Sequence, residues 1–184
     1  MKTLRWKFIR KGFKSESGVC KWKIGEWQNP IKDLELCESG YHCSKKPYQA
    51  FTYVQEEILA QVECKGKRLA EDDKEVWENM RVIKAYKWTK KDSVSLSIYA
   101  AELCLKNFED IYPDDKRPRD AIDAAKKWLE IPTTKNRSAA ESAAESAARS
   151  ARFAAESAGS ARSAAIEKIS KWFDQRVKSL EEIK

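Results

Sequence analysis

The residues most capable of chemistry sit in "LCESGYHCSKKPYQAFTY", residues 36–53, where the chain's single histidine, His42, lies between Cys37 and Cys43. Thiolates and an imidazole are zinc ligands, and a thiol beside an imidazole can form a nucleophile–base pair. The spacing opposes both uses. Structural zinc sites bracket a knuckle with ligands about two to four residues apart, and the step from Cys37 to His42 is wider. Adjacent side chains diverge on an extended backbone, so His42 and Cys43 are poorly placed to share a proton. No metal, no catalytic residue and no cofactor is expected from this pattern alone, and the cysteines read as small buried apolar residues. Cys20, Cys37, Cys43, Cys64 and Cys104 make an odd count, which favours reduced thiols over a disulfide framework.

A second chemistry is carried by charge. Lys2, Arg5, Lys7, Arg10, Lys11, Lys14, Lys21 and Lys23 stand against Glu16 alone in residues 1–23, and this segment holds the whole net charge of +7. In "LRWKFI" Leu4, Trp6 and Phe8 alternate with Arg5 and Lys7; in "CKWKI" Cys20, Trp22 and Ile24 alternate with Lys21 and Lys23. A period of two puts apolar groups on one face and cations on the other. The expectation is a solvent-facing basic face of Arg5, Lys7, Lys21 and Lys23 that meets an acidic protein or a nucleic-acid backbone. Trp6 and Trp22 turn towards the core in this reading, which removes the aromatic–basic interleaving of single-strand binders.

The elements that must position these groups fall into an α+β region and an all-α region. Further strand candidates are 34–37, 58–64 and 80–88, and Pro47 suits the first turn of a helix through Tyr53. Residues 1–90 thus form a small mixed or antiparallel sheet with one or two helices. From Asp92 the apolar period lengthens: Leu96, Tyr99, Leu103, Phe108 and Ile111 mark a helix over 93–111. Pro118 opens a second helix with Ile122, Ala125 and Leu129 on its apolar face, so 92–131 is a helical hairpin. Over 138–184 alanine recurs at 140, 144, 147, 151, 154, 158, 161 and 165, in strict steps of four and three. Ile166, Ile169, Phe173, Val177, Leu180 and Ile183 continue the stripe. This is an alanine-rich helix about 70 Å long, or a hairpin reversing near Gly159. Its seam suits close packing against another helix, within the chain or in a second copy that would make a homodimer. No apolar run spans a bilayer and the N-terminus lacks a signal-peptide core, so a cytoplasmic protein without membrane contact is expected.

Three resemblances add to this. "KWKIGEW", "LELCESGYHCSKKPYQAFTYV" and "VECKG" are similar to a domain common in bacteriophages and prophages, which implies a viral or mobile-element setting and no chemistry. "GYHCSKKPYQAFTY" also resembles the glycine–aromatic segment of the ADP-ribosyltransferase fold. That resemblance implies a cofactor role for Gly40, His42 and Tyr53, with Tyr53 stacked on a nicotinamide ring. The early histidine of that family is absent here, and no glutamate is securely assigned to its late catalytic position, for which Glu63 is offered. "IYAAELCLKNFEDIYPDDKRPRDAIDAAKKWLE", residues 98–130, resembles the helical immunity proteins found beside bacterial toxin genes, including the turn with Arg117, Pro118 and Arg119. It implies a bacterial effector or defence protein as partner, with Arg117 and Arg119 as anchors on a carboxylate or phosphate. Together these favour a phage or mobile-element inhibitor of immunity or anti-defence type. An NAD-using transferase or a sponge for a nucleotide signal are the alternatives.

Overall fold

The computed structural model describes residues 2–15, 18, 20–53, 57–134, 136 and 159–184. The alanine seam over 140–158, and the choice between one long helix and a hairpin there, lie outside these residues. Two compact units divide the chain: Met1–Thr89 with Phe173–Lys184, and Lys90–Trp172.

In the first unit, β1 (Thr3–Ile9), β2 (Tyr41–Cys43), β3 (Ile58–Ala70), β4 (Glu75–Lys87) and β5 (Glu182–Ile183) form an antiparallel sheet. The order is β1-β3-β4-β2, with β5 also on β4. The long β3–β4 hairpin is its spine, and two register irregularities bend it. Beyond β2, Ser44 and Trp6 exchange both backbone hydrogen bonds at 2.9 Å. The two edge strands therefore meet, and the sheet curls towards closure.

The free edge of β4 is covered by pieces from distant parts of the sequence. β2 pairs with Glu75–Trp77 and β5 with Ala85 and Tyr86. Between them the amides of Gly25, Gln28 and Ile31 donate to the carbonyls of Val82, Met80 and Glu78 at 2.7–3.0 Å. Covering an edge in this way removes a template for unwanted strand pairing. It also explains two departures from the sequence reading. Residues 20–24 and 34–37 are not strands: the first belongs to an arm with isolated bridges, and the second is a turn closed by Glu35 and Ser39.

β1 shows the period of two, with both faces covered. Phe8 and Ile9 are adjacent and both buried, so they point into different clusters. Ile9 joins Trp22, Cys43, Val62, Cys64, Trp77, Met80 and Val82. Phe8 meets Phe51 of α1 (Pro47–Tyr53) and Trp88, with T-shaped geometry at 5.5 and 5.4 Å. Phe173 completes that second cluster, stacked on Trp88 at 5.3 Å with 9° between the rings.

In the second unit, α2 (Lys90–Ile111) and α3 (Arg117–Glu130) form the hairpin. Pro118 lies in the first turn of α3, where its missing N–H costs nothing. Lys126 reaches Glu102 across the pair at 2.7 Å, and Leu96, Ile98, Phe108, Ala121, Ile122 and Trp128 are buried. The helix α4 runs over Gly159–Ser179, and Tyr99 stacks on its Trp172 at 6.2 Å. The apolar stripe was read as helical to Ile183, but the helix stops at Ser179. Ile183 instead pairs with Ala85, because β4 offers it an unpaired edge and an apolar neighbour. No described helix is long and apolar enough to cross a membrane.

Candidate functional site

The glycine–histidine segment is a turn locked by its own groups. Cys37 takes a left-handed backbone (φ 70°) and its N–H donates to His42 Nε2 at 2.8 Å. That bond requires an unprotonated Nε2. Burial, and then the nearby charge of Lys7, push the His42 imidazole below its ordinary value and keep it neutral. Lys74 Nζ lies 3.1 Å from the exposed Cys37 Sγ. Gly40 has φ 114°, and a Cβ there would sit 2.4 Å from Val76 Cγ2 and 2.8 Å from Leu34 Cδ2. Packing and backbone conformation thus account for this glycine without a ligand.

Cys43 points away from His42 and into the core, where its Sγ lies 3.9 Å from that of Cys64. The hydrogen bond they share, with burial, raises the Cys64 thiol far above its ordinary value. All five cysteines are free thiols. Among the described residues, no three histidine, cysteine or carboxylate side chains cluster as metal ligands do. Tyr53 ends α1 and its side chain lies outside the described atoms. Glu63 is bound to Arg81 through Nε at 3.0 Å and Nη2 at 2.7 Å. Arg81 in turn lies over the Trp27 ring at 4.7 Å, and Lys65 lies over the same ring at 4.0 Å.

The basic face expected of β1 is overturned. Arg5 and Lys7 share a face with Ile9, and that is the face the core covers. Arg5 grips Glu75 with Nε at 2.6 Å and Nη2 at 3.2 Å, and Lys7 donates to the His42 carbonyl at 3.0 Å. The physical reason is the arm. Trp22, 2 % exposed, covers this side of β1, with Lys7 Nζ 5.8 Å from its ring centroid. The cations therefore face inward and need partners. Lys21 stays exposed, and Lys23 is exposed and paired with Glu26 at 3.3 Å.

Glu75 is the group that sequence reading missed. Its side chain is 0 % exposed, and its two oxygens also accept from Arg68 Nη1 at 3.2 Å and Trp77 Nε1 at 2.9 Å. Burial would raise its carboxyl, but the hydrogen bonds from Arg5 and Trp77 and the charges of Arg5 and Arg68 hold it below the ordinary value. Both guanidinium groups also lie over the Trp77 ring, at 5.9 and 5.6 Å. Every carboxylate oxygen is satisfied, so the cluster works as a lock between β1, β3 and β4. The only sequence signal was an acidic residue two positions before a tryptophan, with its principal partner 70 residues away.

In the helical hairpin, Arg117 is bidentate on Asp115, with Nε–Oδ1 at 2.8 Å, and Arg119 is bidentate on Glu109 at 2.7 and 2.6 Å. Both arginines remain about half exposed or more, but their forks are already filled by carboxylates of the same chain. The arrangement that results can hold and present charged surface. It does not bring His42 to a thiol, since its imidazole turns to the Cys37 amide and Cys43 turns to another thiol.

Comparison with curated proteins and with solved structures finds no match. Family comparison divides the chain close to the boundary between its compact units at Thr89 and Lys90. Residues 3–92 match the model described as a domain of unknown function, DUF7666, and residues 87–172 match the model described as Imm-5 like putative immunity protein.

Proposed function

We propose that this protein is an immunity-type binder that neutralises a bacterial toxin or effector, and that it acts by covering the surface of that partner. The match of residues 87–172 to an immunity-protein model is the observation that carries this reading. The hairpin of α2 and α3 fits it as a rigid presenting element. Its exposed arginines are held in fixed poses by Asp115 and Glu109, which lowers the entropy lost when they meet a partner. The setting we infer is a phage or mobile element in a bacterial cytoplasm, on the N-terminal resemblance described above.

Co-expression with the toxin-type product of a neighbouring gene tests the proposal. A stoichiometric complex and restored growth are expected. Growth arrest that persists with no complex formed overturns the reading. Substituting Arg119 by Glu should weaken the complex if the hairpin faces the partner, and leave it intact if another surface does.

A further inference from the structure

The turn that joins α2 to α3 exposes apolar side chains on a fixed frame. Ile111 and Tyr112 are 53 % and 47 % exposed, and Pro113 beside them is exposed as well. Apolar residues scattered singly over a surface need no explanation, but three in succession at one end of a hairpin do. The frame holds them still. The Tyr112 ring lies 5.1 Å from the ring of buried Phe108, and the Tyr112 N–H donates to the Phe108 carbonyl at 2.8 Å. The Asp115 N–H closes the turn onto the Tyr112 carbonyl at 3.2 Å, and Lys116 Nζ donates to the Pro113 carbonyl at 2.7 Å. Docking at this end would order few groups that are not ordered already.

Charge separates this end from the rest of the molecule. Residues 109–120 hold five carboxylates and three cations, a net charge of −2 in a chain of +7. Arg117 and Arg119 are engaged by Asp115 and Glu109. Asp110 and Asp114 flank the three apolar residues in sequence and are exposed. An aromatic and aliphatic centre thus has an acidic border.

We infer that Ile111, Tyr112 and Pro113 are the docking centre for the protein partner, and that they enter an apolar recess bordered by lysine or arginine. Large side chains at the middle of a contact, ringed by polar groups, carry most of the energy of a typical protein interface. Cations suit the border because they would meet Asp110 and Asp114, whereas a carboxylate border would face them with like charge. This rests on the immunity reading for the class of partner, and it moves the anchor from the two arginines to the residues that precede them.

The test uses the full chain and the toxin-type product of a neighbouring gene, with association and dissociation rates measured at low and physiological salt. Ile111→Asp and Tyr112→Ala should each weaken the complex at least about tenfold. Asp110→Lys/Asp114→Lys should slow association and remove its dependence on salt. The control Ile131→Asp changes an isoleucine of similar exposure, 56 %, at the other end of α3, and should stay within about twofold of wild type. Thermal unfolding separates a lost contact from a lost fold, and Ile111→Asp, made at an exposed side chain, should melt with the wild type. Unchanged binding in the turn variants, an equal loss in Ile131→Asp, or association that ignores salt in the wild type would each overturn the inference and leave the immunity function standing. A wild-type chain that forms no complex overturns both. Self-association of the wild type that Ile111→Asp and Tyr112→Ala abolish would assign the surface to a second copy of this chain, and overturns the inference as well.

Discussion

Arg5–Glu75 and Arg119–Glu109 are the same chemical pair in two places. Both are bidentate, and both have a closest contact of 2.6 Å. The Glu75 side chain is fully buried and also binds Arg68 and Trp77, whereas the hairpin pair is open to water. Geometry alone would rank them as equals. The difference lies in what remains when one partner is removed. In the sheet a charge would be stranded away from solvent; in the hairpin water takes the vacated place. Buried pairs are therefore costly to break, and exposed pairs are worth little.

The sharpest way to break this comparison is Glu75→Ala, which strands Arg5 and should destabilise the protein by about 3–5 kcal/mol in denaturant unfolding. The double variant Glu75→Leu/Arg5→Met should recover most of that loss, because the cost is the unpaired charge. If the single and double variants are equally unstable, the cluster is not held as described. Gly40→Ala comes next. It forces a Cβ to within 2.4 Å of Val76 at a positive φ, and about 1–3 kcal/mol of destabilisation is expected from overpacking. Val76→Ala should relieve part of it in the double variant.

The turn gives a smaller effect that depends on pH. The folded His42 pKa lies below the free value of 6.5, so the unfolded chain binds the proton more readily. This contribution to stability is fully present above that free value and is lost as pH falls through the folded value. Denaturation midpoints should therefore decline on acidification through this range, and His42→Gln should flatten the decline. Glu75 adds a second, more acidic step of the same sign, since its folded pKa is also depressed. The smallest effect belongs to Arg119→Ala, whose melting temperature should stay within experimental scatter of wild type at physiological salt. A large shift there would mean that the exposed pair is worth more than its solvation allows.

How much of this was legible beforehand follows the range of the interactions. The helix over 47–53, the hairpin of α2 and α3, and the strands at 58–64 and 80–88 rest on local period and on proline position, and each is found as an element. The candidate site fared differently. Arg5 and Lys7 alternate with apolar residues as read, but alternation says only that two faces exist, and the arm carrying Trp22 decides which one is wet. Residues 20–24 carry the same pattern and are not a strand; the edge of β4 is met instead by the amides of Gly25, Gln28 and Ile31 in the segment that follows.

From the sequence alone came the mixture of an antiparallel sheet with helices, the place of most helices and long strands, and a charge excess lying wholly before residue 24. These depend on neighbours a few positions apart, where periodicity and proline chemistry act directly. Only the tertiary structure decided that Arg5 is a buried lock and Lys21 a surface cation, that Gly40 is demanded by Val76, and that Ile183 ends in the sheet. Those outcomes depend on contacts between residues tens of positions apart. Burial, which sets the worth of a charge or a methyl group, exists only once such contacts have formed.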